Sequence, residues 1–227
     1  MAMTPLPAVF CWTKMGTESG LSLATILDIK ERERQAGQGV FVWGIGSSLS
    51  PSAVGALLRR TPTPTVVFSE IKANGPTPPP KSVVQWRTYI DPEGRVVPLP
   101  SHVTETFSGP VTRRVYALFC RRRTPIKRRA DQQIRLCELH NLLSGKQVGS
   151  SQVTSVVEHR PGSCPCNHAL EYPVSFVAEW IWPYIARLAD PIILPDGRPR
   201  ATRRGPKTGG SIASRARTPL GRKRRDG

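Results

Sequence analysis

The chain has 227 residues, 38% of them hydrophobic, enough for one domain of ordinary size with a real core plus a tail. The net charge is +17, which points to a polyanionic partner. There is no run of 18 uninterrupted apolar residues and no secretory leader pattern, so a membrane partner is not expected and a cytoplasmic, non-secreted protein is.

In chain order, residues 8–13 read as a short apolar strand. It leads through FCWTKMGTESG into a junction rich in hydroxyls and charge. Phe10 and Trp12 share one face of that strand and Cys11 takes the other. Leu21 to Ala36 has the helical period, with Leu23, Ile26, Leu27 and Lys30 along one face, a serine cap before it and Gly37 after it. Val40 to Trp43 is a second strand, followed by the tight turn GIGSS. Ser50-Pro51 opens a second helix to about Arg60.

Thr65–Ser69 and Val83–Tyr89 are strands on either side of a proline-rich loop. Asp91-Pro92-Glu93-Gly94 is a turn in which proline presets φ and glycine takes the left-handed position, and Val96-Val97 returns from it. Val115–Cys120 is a further strand, and Ala130–Leu143 reads as a third helix with Ile134, Cys137 and Leu142-Leu143 on one stripe. Ser144 to Gln152 is a polar, glycine-spaced connector of a type that holds ligands. Gln152–Glu158 and Tyr172–Trp180 are late strands, and 183–191 reads as short and partly helical. After Leu194 all periodicity is lost, and the composition predicts disorder.

The expectation is an α+β fold: a bent mixed sheet or partly open β-barrel over residues 1–195, with about three peripheral helices and a disordered basic tail over 196–227. The five cysteines are scattered, three of them in apolar patterns, and are expected to be buried and reduced.

Charge is unevenly placed. Residues 196–227 hold eleven Lys and Arg against two acids. A second excess lies at Arg121, Arg122, Arg123, Lys127, Arg128 and Arg129. Such segments bind phosphates by releasing counterions. GIGSS lies between a strand and a helix, where backbone N–H groups meet an anion, but it lacks the spacing of a nucleotide-binding loop, and no cofactor is expected. Trp12, Thr13, Lys14, Trp43 and Ser47 stand at strand exits, where a tryptophan can stack on a base. His159, Cys164, Cys166 and His168 carry zinc-ligand chemistry at a spacing unlike that of a usual finger, so an ordinary loop is the stronger reading. Glu70-x-Lys72 ends a strand as part of a nuclease motif of the PD-x-E-x-K type would, but lacks the upstream aspartate.

FCWTKMGTESGLSLATIL, VFVWGIGSS, VVFSEIK and YPVSFVAEW, taken together, resemble the PUA-like superfamily, in the broad group of ASCH and EVE domains, over about residues 8–194. That resemblance implies a small pseudo-barrel that binds nucleic acid, often a modified or flipped base, in a pocket at the barrel mouth. The leading expectation is therefore a non-enzymatic nucleic-acid-binding module. The alternatives are a small nuclease using Glu70 and Lys72, and a protein-interaction or structural subunit whose basic tail docks on an acidic or nucleic-acid assembly.

Overall fold

A computed structural model describes residues 5–15, 22–46, 49–71, 83–106, 115–128, 132–163 and 170–194. The expected tail lies outside these residues. No helix among them is long and apolar enough to cross a membrane. The elements run β1 (Val9–Met15), α1 (Leu23–Ala36), β2 (Val40–Ile45), α2 (Pro51–Arg60), β3 (Thr65–Glu70), β4 (Val83–Ile90), β5 (Val96–Pro98), β6 (Thr104–Thr106) and β7 (Val115–Arg121). They continue with β8 (Gln133–Arg135), a 3-10 turn (Leu136–Glu138), β9 (Leu139–Asn141), β10 (Thr154–His159) and β11 (Glu171–Leu194). The class is mixed α+β, mostly strand.

All eleven strands join one sheet, ordered β2-β7-β11-β3-β1-β10-β9, with β4 and β8 also on β11 and β5 and β6 on β4. β1 and β3 are parallel, and α1, β2 and α2 form the crossover between them. Two strands lie between β2 and β3, a flat-sheet separation of about 14 Å. Yet the Trp43 and Phe68 rings meet edge-to-face with centroids 5.0 Å apart. The sheet therefore curls, and its concave side is filled by Phe41, Trp43, Phe68, Phe176 and Trp180 together with Ile26, Leu27, Val54 and Leu57 from the two helices. Phe10 and Trp12 lie on the opposite face of β1, packed with Ile134, Leu136, Leu139, Val148 and Tyr172.

The α1 helix starts where the Ser22 hydroxyl accepts the Thr25 N–H. Its buried stripe is Ile26, Leu27, Lys30 and Glu33, so half of it is charged. The reason lies in β2, which ends the sheet order. The Val42 carbonyl accepts Lys30 Nζ at 2.6 Å, and the Val42 N–H donates to Glu33 Oε2 at 2.9 Å. An edge strand leaves alternate backbone groups unpaired, and here an ion pair from the covering helix takes them.

One expected helix is absent, and a stretch expected to be partly helical is strand. Residues 133–141 are β8, the 3-10 turn and β9 rather than a third helix, and two α-helices are present among the described residues. Ile134, Leu136 and Leu139 all pack under Trp12, and the flanking backbone pairs with β11 on one side and β10 on the other. Ladder hydrogen bonds and burial outweigh a weak helical stripe. Residues 183–191 are the continuation of β11, because they pair with β7 on one edge and β4 on the other. Strand β1 also runs past its expected end at residue 13, so that Lys14 and Met15 are buried strand residues rather than part of a turn. Likewise β2 includes Gly44 and Ile45.

Cys11 and Cys120 are buried free thiols, held well above the ordinary range by burial. Cys137 departs from the expected reduced state: it is disulfide-bonded.

Candidate nucleic-acid interface

Because β1 and β3 are parallel, both leave the sheet at the same edge, with Lys14 opposite Ser69 and Met15 opposite Glu70. Carboxyl ends of parallel strands are where open sheets place ligands. Side chains alternate there. Trp12 and Lys14 lie on the face of Tyr172, whereas Phe68 and Glu70 lie on the other face of β3.

Lys14 is buried, with 6% of its surface exposed. Its ammonium donates to the Ser150 carbonyl at 2.6 Å and lies over the rings of Trp12 and Tyr172, 5.1 and 4.8 Å from their centroids. No carboxylate pairs with it among the described residues, and burial holds its pKa below the ordinary lysine value. The 144–152 connector thus has a fixed job, since Val148 enters the core and Ser150 receives Lys14.

The expectation that Trp12 and Trp43 form stacking platforms at one mouth meets a different geometry. Trp12 is fully buried, its indole N–H donating to Ser69 Oγ at 3.1 Å and its ring edge-on to Tyr172. Trp43 is buried on the concave side against Phe68. The two tryptophans serve opposite faces of the sheet, Trp12 with Phe10 and Tyr172, Trp43 with Phe41 and Phe68. Thr13 is buried too, and its hydroxyl meets that of Thr154 at 2.9 Å. Ser47 lies outside the described residues.

Glu70 is also buried, and its carboxylate is engaged. Oε1 accepts Ser175 Oγ at 2.5 Å, and Arg128 donates to both oxygens from Nε, with Nη2 2.7 Å from Oε2. Ser175 reaches this point because β11 bulges between Val174 and Phe176 against β3. The carboxylate acts here as the anchor of an ion pair, an arrangement unlike the open acid a nuclease presents to a metal. Lys72 lies outside the described residues.

The basic segment divides by role. Arg122 is structural: its guanidinium lies over Phe176 at 5.6 Å and donates to the carbonyls of Val177 and Pro125. Arg121 faces Glu179 at 3.8 Å, and Arg128 holds Glu70. Arg123 and Lys127 are exposed, with no acidic partner among the described residues. Arg129 lies outside them. The backbone that presents these cations is pinned to α1. Glu31 Oε2 accepts the Ile126 N–H at 2.7 Å, and Arg34 Nη1 reaches the carbonyls of Arg122 and Arg123 at 3.5 Å. The Arg34 guanidinium, 2.7 Å from Glu31, is the main reason the Glu31 carboxyl titrates down at about 2. At the start of the segment the Arg122 N–H donates to the Gly39 carbonyl. Gly39 has φ +100°, and a Cβ there would sit 3.1 Å from the Arg122 carbonyl oxygen, so glycine is needed at this approach.

His159 stands 3.6 Å from Glu138, whose other oxygen accepts the Gly162 N–H. Burial lowers the His159 pKa, and Glu138 opposes that in part. Cys164, Cys166 and His168 lie outside the described residues. No group of three metal-ligating side chains occurs among the residues that are described.

Sequence reading missed Tyr172, Ser175, Glu31 and Arg34. Ser175 meets Glu70 across 105 positions of chain, and Glu31 meets Ile126 across 95, so no local pattern signals either contact. No protein-family model matches this chain, and no curated protein or solved structure matches it either.

Proposed function

We propose that the protein is a nucleic-acid-binding module that takes hold of the phosphate backbone through the segment around Arg121–Arg128, helped by the basic residues of 196–227. The observation that carries this reading is the presentation of Arg123 and Lys127. Both are exposed cations without acidic partners among the described residues, on a backbone fixed to α1 by Glu31 and Arg34. A segment whose backbone is already ordered loses little further backbone freedom on meeting phosphates, so more of the counterion-release gain appears as affinity.

The resemblance to the PUA-like superfamily favours the same reading. The nuclease alternative is less favoured, because Glu70 is tied to Arg128 and Ser175. The test is fluorescence anisotropy with a labelled duplex and a labelled single strand over a salt series. Each lost phosphate contact reduces the slope of log K against log salt by about 0.9 on duplex and about 0.7 on single strand. Arg123→Gln with Lys127→Gln is expected to flatten the slope by about two contacts, and deletion of 196–227 to flatten it further. Absent binding at low salt, or a slope unmoved by either change, overturns the proposal.

A further inference from the structure

A cavity of about 540 Å³ lies between α2, the turn after β4 and the middle of β11. Its walls are mostly apolar, with Asp91 and Arg187 as the charged groups, and its volume is in the range of small-molecule sites. Three features of its lining suit an occupant.

The first is Gly55, in the interior of α2. Glycine is the least favourable residue for a helix interior apart from proline. Nothing in the fold requires it: φ is ordinary, and the nearest atom to a Cβ built there is Arg59 Nη1 at 3.5 Å, a normal contact. What a side chain at this position would occupy is the cavity. The second feature is Trp182, 52% exposed on the cavity wall. It sits where β11 leaves register with β7, between Trp180 and Ile185. Its ring meets that of Tyr184 edge-on at 6.1 Å, and Tyr184, whose carbonyl accepts the Trp180 indole N–H at 2.7 Å, has φ +63°, a rare conformation for an aromatic residue. Such conformations gather at ligand sites. The third is Arg187, the one cation in the lining, which has no ion-pair partner among the described residues, whereas the one acid of the lining, Asp91, is already held by Arg95 at 2.7 Å.

We propose that this cavity is a binding site for a small amphipathic anion, with a flat apolar body against Gly55 and Trp182 and a single negative group at Arg187. Gly55 allows the ligand close to the helix backbone, Trp182 supplies one aromatic face, and the guanidinium neutralises and orients the charged end. The site is separate from the surface proposed for nucleic acid, and neither reading depends on the other.

The test uses two fluorescent probes on the full chain: 1-anilinonaphthalene-8-sulfonate, and N-phenyl-1-naphthylamine, which has a similar body without the sulfonate. Saturable binding of both is expected, the sulfonate about tenfold tighter, as one charge-assisted contact gives. Arg187→Gln is expected to bring the sulfonate down to the level of the neutral probe and to leave the neutral probe unchanged. Gly55→Phe fills the space and is expected to abolish both, with an unchanged or raised melting temperature. Trp182→Ala, at a half-exposed position, weakens both without unfolding the chain. Equal affinity for the two probes, non-saturable binding, or titrations unmoved by Arg187→Gln and Trp182→Ala overturns the proposal.

Discussion

Replacing Lys30 by methionine tests why a buried helix stripe is half charged. Lys30 is 2% exposed, and it faces Glu33, whose side chain is fully buried, at 3.3 Å. Lys30→Met leaves the Glu33 carboxylate buried without its cation and the Val42 carbonyl without its ammonium donor. Breaking a buried pair from one side costs about 3–5 kcal/mol. The double change Lys30→Met/Glu33→Leu removes the uncompensated charge. For most buried pairs such a swap is neutral or stabilising. Here it also strips the partners from the Val42 N–H and C=O, and each unsatisfied buried backbone group costs about 1–3 kcal/mol. Burying more apolar surface offsets part of that. The double variant is therefore expected to lose about 2–4 kcal/mol, less than the two single changes add up to but well short of neutral. Urea denaturation of the four proteins, read by tryptophan fluorescence and circular dichroism, gives the cycle. A double variant as stable as the parent would refute the idea that the pair serves the edge of β2. A single variant losing under about 1 kcal/mol would refute the claim that the pair is buried and coupled.

Two further predictions concern pH. Glu31 titrates at about 2 instead of 4.5, mainly through Arg34. A lowered acid stabilises the fold above its unfolded value, so this contribution is present above pH 4.5 and lost as pH falls towards 2. Glu31→Gln is expected to flatten the acid limb of the stability curve, and an unchanged limb would place the titration elsewhere. His159 is lowered from 6.5 by burial, so the unfolded chain takes up a proton first, and stability falls as pH drops below 6.5. Melting temperatures of the parent and of His159→Gln between pH 7.5 and 5.5 check this, with the variant showing the smaller drop.

Much of the fold was legible where the signal is local. The cap at Ser22, the stripe of α1, the turn at Asp91–Gly94 and the alternation of Phe10, Cys11 and Trp12 all rest on neighbours within a few residues. What was not legible depends on distant partners. Residues 133–141 carry apolar spacing compatible with a helix, and only the edges offered by β10 and β11 make them strand. The prolines at 183 and 191 argue against a central strand, yet β11 accommodates Pro183 in a bulge and Pro191 opposite Trp86. The candidate site shows the same division. Its residue types stand out in sequence, but burial assigns Trp12 to the core, Glu70 to Arg128 and Arg122 to Phe176. Of the basic cluster, sequence shows the charge, and only the fold shows which cations remain for a partner.

Strand β11 has a consequence for how the chain assembles. Without it, the sheet falls into β2 with β7, β3 with β1, β10 and β9, and β4 with β5 and β6, with β8 left alone. Among the described residues, no pairing outside β11 connects these pieces. Since synthesis runs from the N-terminus, the segment that joins them is the last of the described residues to leave the ribosome. Until it arrives, β3, β7 and β4 each present an open edge. A chain halted before residue 170 would hold three sheet fragments ready to pair with other copies, and its completion turns them together into one cooperative unit.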